Sequence, residues 1–277
     1  MARSPVLTLA AGNDVAPVRS TEPQIKIEAV SKIYPSNDGD IAALSDISVD
    51  VTRGEFLSVL GPSGCGKSTL MLLASGLEKV SSGRITIDGK VVDRPFTDAG
   101  IVFQDHALYD WRTVLDNIML QSEVRKLPKE DTRSKARALL ARTGLSQFEG
   151  KYPHELSGGM RQRAAICRAL VHQPPFLFFD EPFGALDALT REQMRIDLEK
   201  LWLERRPTVL FITHSIPEAV ALSDRIIVMT PRPGRVDTII KVDLPRPRDK
   251  AVIASKAFSD YCDTITEQFV KQGVIQY

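Results

Sequence analysis

Cysteine is scarce in this chain. Cys65, Cys167 and Cys262 lie scattered over 277 residues with no CxxC pair. That pattern argues against a disulfide framework or a cysteine-based zinc site and fits a reducing cytosol. Long apolar runs are missing too. Nothing approaches the roughly 18 consecutive apolar residues that cross a bilayer, so any membrane role must come through a partner. Nor is there a surplus of either charge, because 36 basic and 35 acidic side chains leave +1. Without a strong field there is no global attraction to nucleic acid or to an anionic membrane, and nucleic acid is not expected as a partner. What is present, 43% hydrophobic and 26% charged residues, is the composition of a folded chain with a sizeable core.

The stretch Val6-Leu7-Thr8-Leu9-Ala10-Ala11 is too short for a secretory signal, and residues 1–23 read as a flexible tail. From Ile25 the pattern becomes regular. Glu55–Leu60 is an apolar run closed by Gly61-Pro62, which reads as a buried strand feeding a loop. Leu70–Ala74, ended by Gly76, reads as a helix, and Arg84–Ile87 before Asp88-Gly89 as a hairpin strand. Ile101–Phe103, Phe176–Phe179, Thr208–Ile212 and Arg225–Met229 are further strand candidates. Between about 105 and 173 the sequence turns polar and helix-forming, which predicts a helical insertion in an α/β core. A last helix is expected around Asp249–Gly273. Its Phe258, Tyr261, Ile265 and Phe269 share one face, for packing on the chain's own domain or, alternatively, for a partner.

Gly61-Pro62-Ser63-Gly64-Cys65-Gly66-Lys67-Ser68 fits G-x-x-x-x-G-K-[ST] between a strand and a helix. Glycines let the backbone fold around an anion with its N–H groups inward, and the helix N-terminus adds its positive end. Lys67 supplies charge to outer phosphates, and the Ser68 hydroxyl can ligate Mg²⁺. Phe176–Phe179 ends in Asp180-Glu181. Asp180 at the sheet edge can hold Mg²⁺ through water, and Glu181 can orient or deprotonate an attacking water. Leu156-Ser157-Gly158-Gly159-Met160 precedes a good helix, making a second serine-capped helix start fit for phosphate, or else an ordinary cap. Two such ends make sense when two chains face head to tail.

On these motifs the sequence resembles the ATP-binding cassette (ABC) ATPases, the motor subunits of ABC transporters, over about Ile25–Arg235. The resemblance implies a P-loop α/β core with an antiparallel β subdomain and an inserted helical subdomain. The ATPase domain would span 24–235, with a C-terminal extension over 236–277. It implies ATP and Mg²⁺ as ligands, with Ser68, Gln104 and Asp180 at the metal. Glu181, His214 and Gln104 would serve hydrolysis. Gly61–Ser68 and Thr69 would hold the phosphates, with Tyr34 stacked on adenine or merely packed. Ser157, Gly158 and Gly159 would be the signature motif closing over ATP on a second ATPase subunit, and Ala185-Leu186-Asp187 the D-loop. His106, His154 and His172 read as solvated or capping, and Arg133–Arg142 as a solvated helix side. Cys65 fills a variable loop position with nothing pointing to a redox role.

Three segments further resemble the nitrate, sulfonate and taurine importer ATPases: Ala107–Ile118, Asp187–Arg191 and Pro231–Arg235. The importer branch implies integral membrane permease subunits, a substrate-binding protein acting through them, and a place at the cytoplasmic face of a bacterial inner membrane. Trp111 would contact the permease or pack inside the helical subdomain. Asp110-Trp111 departs from the usual Pro-Trp. The short stretch beyond Arg235 leaves no room for the regulatory β-domain of sugar importers. Export, another cargo, or a non-transport P-loop ATPase are the competing readings.

Overall fold

The computed structural model describes residues 23–37, 39–184 and 186–276. The tail read over 1–23 therefore lies outside the described residues except for Pro23, as does Ala185 of the expected D-loop.

Two sheets clasp one helix. The first is antiparallel, in the order β2-β1-β4-β5, built from β1 (Pro23–Tyr34), β2 (Ile41–Thr52), β4 (Ser82–Ile87) and β5 (Lys90–Val91). The second runs β10-β9-β3-β8-β7-β6, with β3 (Phe56–Leu60), β6 (Ala99–Val102), β7 (Phe176–Asp180), β8 (Thr208–Ile212), β9 (Arg225–Met229) and β10 (Val236–Lys241). Its strands are mutually parallel except β10, which pairs antiparallel with β9. Helix α1 (Lys67–Ala74) lies between the sheets. Its Leu70, Met71 and Leu73 share a core with Ile25, Ile27, Leu44 and Ile47 of the first sheet and Leu57, Val59 and Phe178 of the second.

The central strands read as unbroken apolar runs because both of their faces are covered. Along β7, Phe176 and Phe178 face α1, whereas Leu177 and Phe179 face helix α5 (Ala188–Arg205) with Met194, Leu198 and Trp202. Strict alternation of side-chain direction makes one short strand serve two cores. Between β6 and β7 the chain forms α2 (Val114–Arg125), α3 (Lys129–Arg142) and α4 (Gly158–Leu170), around Val114, Ile118, Leu140 and Ala164. Thr113 starts α2 by accepting the Asp116 N–H at 3.1 Å.

At the C-terminal end the structure corrects the sequence. In place of one helix over Asp249–Gly273 there are two, α7 (Lys250–Ile253) and α8 (Lys256–Lys271). Asp249 caps the first. Ser255 restarts the second by accepting the Phe258 N–H at 3.2 Å. Phe258, Ile265 and Phe269 are buried against α6 (Ile216–Leu222) and β9, so the apolar stripe is covered by the chain itself. Strand β10 had no sequence expectation, since its alternating half-exposed residues give only a weak apolar signal.

Candidate functional site

The site lies where β3, β7 and β8 end. Gly66 precedes α1 at φ 100 and Gly64 sits at φ 76, both left-handed values that glycine adopts without strain. No side chain caps α1, and no acidic residue occupies its first turn, so its N–H end is left for an anion. Lys67 is 5% exposed and curls back, donating from Nζ to the carbonyls of Gly61 at 2.9 Å and Pro62 at 3.0 Å. Ser68 and Thr69 follow in the first helical turn.

Asp180 ends β7 with 8% exposure, and its carboxyl is pushed up by burial against the opposing hydrogen bond from Ser68. Ser68 Oγ donates to Asp180 Oδ1 at 2.9 Å. One hydroxyl beside one carboxylate is a hard oxygen pair. Among the described residues no cluster of three or more His, Cys, Asp or Glu gathers to cage a metal. This donor set fits Mg²⁺, which takes few protein ligands and completes its shell with water and phosphate oxygens.

Glu181 is held at φ 45, a conformation costing a non-glycine residue about 1–3 kcal/mol. Its N–H donates to Ile212 O at 2.9 Å, which ties the end of β7 to the end of β8. Its carboxylate then lies 3.9 Å from Lys67 Nζ through Oε1 and 3.0 Å from His214 Nδ1 through Oε2. A cation, a carboxylate and an imidazole thus converge on the mouth of a glycine-rich loop, an arrangement suited to cleaving a phosphoanhydride by water.

The remaining sequence candidates lie on other elements. Gln104 is exposed two residues past β6, and Val102 opposite Phe179 puts it on the same sheet edge as Asp180. Tyr34 is half-buried at the end of β1 with Lys32 Nζ 4.7 Å from its ring centre. It pairs with Ile41, close in sequence to Ala43 and Leu44, which crowd Gly66. Ser157 caps α4 by accepting the Met160 N–H at 3.3 Å, and Gly159 packs against Thr190 and Leu186. Asp187 caps α5, taking the N–H groups of Leu189 and Thr190 at 3.1 and 3.0 Å, and its pKa is lowered first by the Thr190 side chain and then by these N–H groups. Among the described residues none of these five positions hydrogen-bonds to Lys67, Ser68, Asp180, Glu181 or His214.

Several expectations change. Cys65 is 1% exposed with its thiol turned beneath the loop and pushed up by burial, so only its backbone can face a ligand. Trp111 does not pack inside the helical subdomain: it is 74% exposed and leans on Tyr109 with ring centres 4.8 Å apart. His172 is neither solvated nor a cap. It is half-buried, and desolvation pushes its imidazole down to about 4. Gly234, in the sequence simply one residue of the Pro231–Arg235 segment, has a structural role. A Cβ there would lie 2.0 Å from Cys65 O, so its lack of a side chain lets the Pro231–Arg235 turn close on the phosphate loop. Thr213 and Glu218 belong to no motif of the sequence; they bond each other at close range, and the contact of Glu218 with Arg191 is set by folding.

The ABC transporter sequence profile matches residues 44–184. An uncharacterized ABC transporter ATP-binding protein of Methanocaldococcus jannaschii is 46% identical over 230 residues, 83% of this chain and 86% of that protein. The aliphatic sulfonates import ATP-binding protein SsuB of Bacillus cereus is 39% identical over 252 residues, 91% of this chain and 98% of that protein. Among solved structures, the ATP-binding cassette MJ0796, in a dimeric post-hydrolysis state bound to ADP and Pi, superposes with TM-score 0.71 at 33% identity. That match covers 79% of this chain and 98% of the other. By the family profile over residues 44–184 and by its likeness to these relatives, the chain belongs to the ATP-binding, ATP-hydrolysing subunits of the ABC transporter family.

Proposed function

We propose that the chain drives an importer for a small oxyanion or organosulfonate, with nitrate, taurine and alkanesulfonates as the cargo class. The observation that carries the ATPase roles is the meeting of Lys67, Ser68, Asp180, Glu181 and His214 at one sheet edge. Lys67 and the Gly61–Thr69 loop, through the backbone N–H groups of its residues other than Pro62, hold the phosphates, and Tyr34 lies beside adenine. Ser68 and Asp180, with Gln104 approaching from the neighbouring strand, hold Mg²⁺. Bound there, Mg²⁺ offsets the charge of the phosphate oxygens. Glu181 takes a proton from or aligns the attacking water, and His214 holds Glu181 in place beside the outer phosphate.

Two copies face each other, a reading supported by the dimeric cassette MJ0796. In that arrangement Ser157, Gly158, Gly159 and Asp187 serve the nucleotide of the opposite copy. ATP favours the closed pair, and hydrolysis reopens it, so the motion is a population shift. The exposed Trp111 and an open groove lined by Phe96, Ile101, Phe103, Leu120 and Val124 offer apolar surface to a membrane permease. Among the described residues no helix is long and apolar enough to cross a membrane. In this reading the permease supplies the pore, and the subunit works at its cytoplasmic face. A separate substrate-binding protein selects the cargo.

The importer reading is supported by the likeness to SsuB along nearly the whole chain. Its test is uptake and growth of the source cell carrying chromosomal Glu181→Gln, on taurine or alkanesulfonates as sulfur source and on nitrate as nitrogen source. Loss on one substrate class is the expected result. Undiminished growth on all of them overturns the cargo assignment and leaves the ATPase standing.

A further inference from the structure

Outside the residues already assigned, one buried carboxylate stands where two loops of the site meet. Glu218 on α6 is 8% exposed, and its Oε2 accepts from Thr213 Oγ1 at 2.7 Å. The same hydroxyl accepts the Ser215 N–H at 3.0 Å, so the two neighbours of His214 are tied to each other across it. On its other side Glu218 Oε1 lies 3.6 Å from Arg191 Nε. Arg191 Nη2 in turn donates to Leu186 O at 2.9 Å, and Leu186 directly precedes the α5 cap Asp187. A continuous chain, Leu186–Arg191–Glu218–Thr213, therefore joins the loop after β7 to the loop after β8.

Helix α6 is a firm post for this chain. Arg248, 1% exposed, donates to Val220 O at 2.7 Å and Ser223 O at 2.6 Å, and Arg246 donates to Leu222 O at 2.5 Å. A capping box does not explain the carboxylate, because the Ser215 N–H that it would accept is taken by Thr213 Oγ1 at 3.0 Å. Burial raises the Glu218 pKa, with Thr213 and Arg191 acting against it. An apolar side chain would fill that space without desolvating a charge. What a carboxylate adds is direction: it fixes the Thr213 hydroxyl and faces the Arg191 guanidinium.

We propose that Glu218 is a positioning residue for ATP hydrolysis, setting His214 against Glu181 through Thr213 and linking that setting to the Leu186–Asp187 loop through Arg191. The proposal rests on the reading of Glu181 and His214 as the hydrolytic pair.

The test is steady-state and single-turnover phosphate release by the full chain. Glu218→Gln should lower kcat about tenfold, the scale of coupling between contacting residues, with KM for ATP unchanged. Thr213→Val should do the same, which keeps the test intact should Glu218→Gln fold poorly, and Arg191→Lys should retain more activity than Arg191→Met. In a His214→Ala background, Glu218→Gln should cause no further loss. The ring resonances of His214 should move in Glu218→Gln, while those of His154, stacked on Tyr152, stay in place. A second loss that multiplies with His214→Ala, or a raised KM at unchanged kcat, would overturn the proposal. A slow His214→Ala beside full-speed Glu218→Gln and Thr213→Val overturns it alone. Full speed in His214→Ala itself overturns the hydrolytic pair, and the proposal with it.

Discussion

His214 Nδ1 stands 3.0 Å from Glu181 Oε2, although 33 residues separate them in the chain. The contact exists because β7 and β8 are parallel neighbours, with Asp180 opposite Ile212, so that the residues leaving both strands meet at one edge. Two groups joined this way should act as a unit. Glu181→Gln and His214→Ala should each lower kcat by about 10²–10⁴, the range for a general acid or base. The double variant should be little slower than the slower single one. Phosphate release measured for the three variants decides this, and losses that multiply would show independent roles. ATP binding should persist in all three, since Lys67 is held by the Gly61 and Pro62 carbonyls.

Gly234 makes the opposite kind of contact, one defined by a missing side chain. Its N–H donates to Ala43 O at 3.0 Å, and its O accepts the Ser45 N–H at 3.0 Å, which pins it between β2 and the phosphate loop. Gly234→Ala should cost about 1–3 kcal/mol, as overpacking does, and weaken ATP affinity. Gly150→Ala, where an added Cβ meets nothing within 4 Å, is the control. Urea midpoints and nucleotide titrations of both variants check the difference.

His172 predicts an acid-sensitive limb in stability. Between pH 6.5 and about 4 the unfolded chain takes up a proton that the folded imidazole refuses, chiefly because of burial and next because of Arg125. The unfolded state binds more protons in that window, so stability falls as pH falls through it. His172→Gln should flatten the slope. Urea unfolding at several pH values measures it, and an unchanged slope would assign the acid limb to other groups.

Trp111 should matter to association and little to folding. Its side chain is 74% exposed, so Trp111→Ala should shift stability by no more than about 0.5 kcal/mol. Retention of the subunit on membranes carrying its permease should drop, as expected for an aromatic anchor. Equal retention of both proteins would remove Trp111 from the docking surface.

The phosphate loop was legible in sequence because strand, glycine loop and helix follow one another within a few residues. So were β7 and β8, whose apolar runs reflect burial on both faces. The pairing of β1 with β2 was not, since its register shifts at several points and blurs the alternation that marks a strand. The break before α8 escaped for a local reason: Ser255 reads as an ordinary helix residue until it is seen accepting the Phe258 N–H. Glu218 escaped for a distant one, because beside the nearby Thr213 its second partner, Arg191, belongs to α5.

By itself, then, the amino-acid sequence determined the glycine loop before α1 and the serine-capped start of α4, which depend on bonds between near neighbours, and it marked the Asp180-Glu181 strand end through the apolar run before it. Only the tertiary structure decided that His214 meets Glu181, that Cys65 turns inward, that Trp111 stays exposed, and that Glu218 links two loops. The His214–Glu181 contact and the link through Glu218 arise from the order in which β3, β8 and β7 lie side by side. Strand order depends on how the whole apolar core closes around α1, and no local stretch of sequence carries that information.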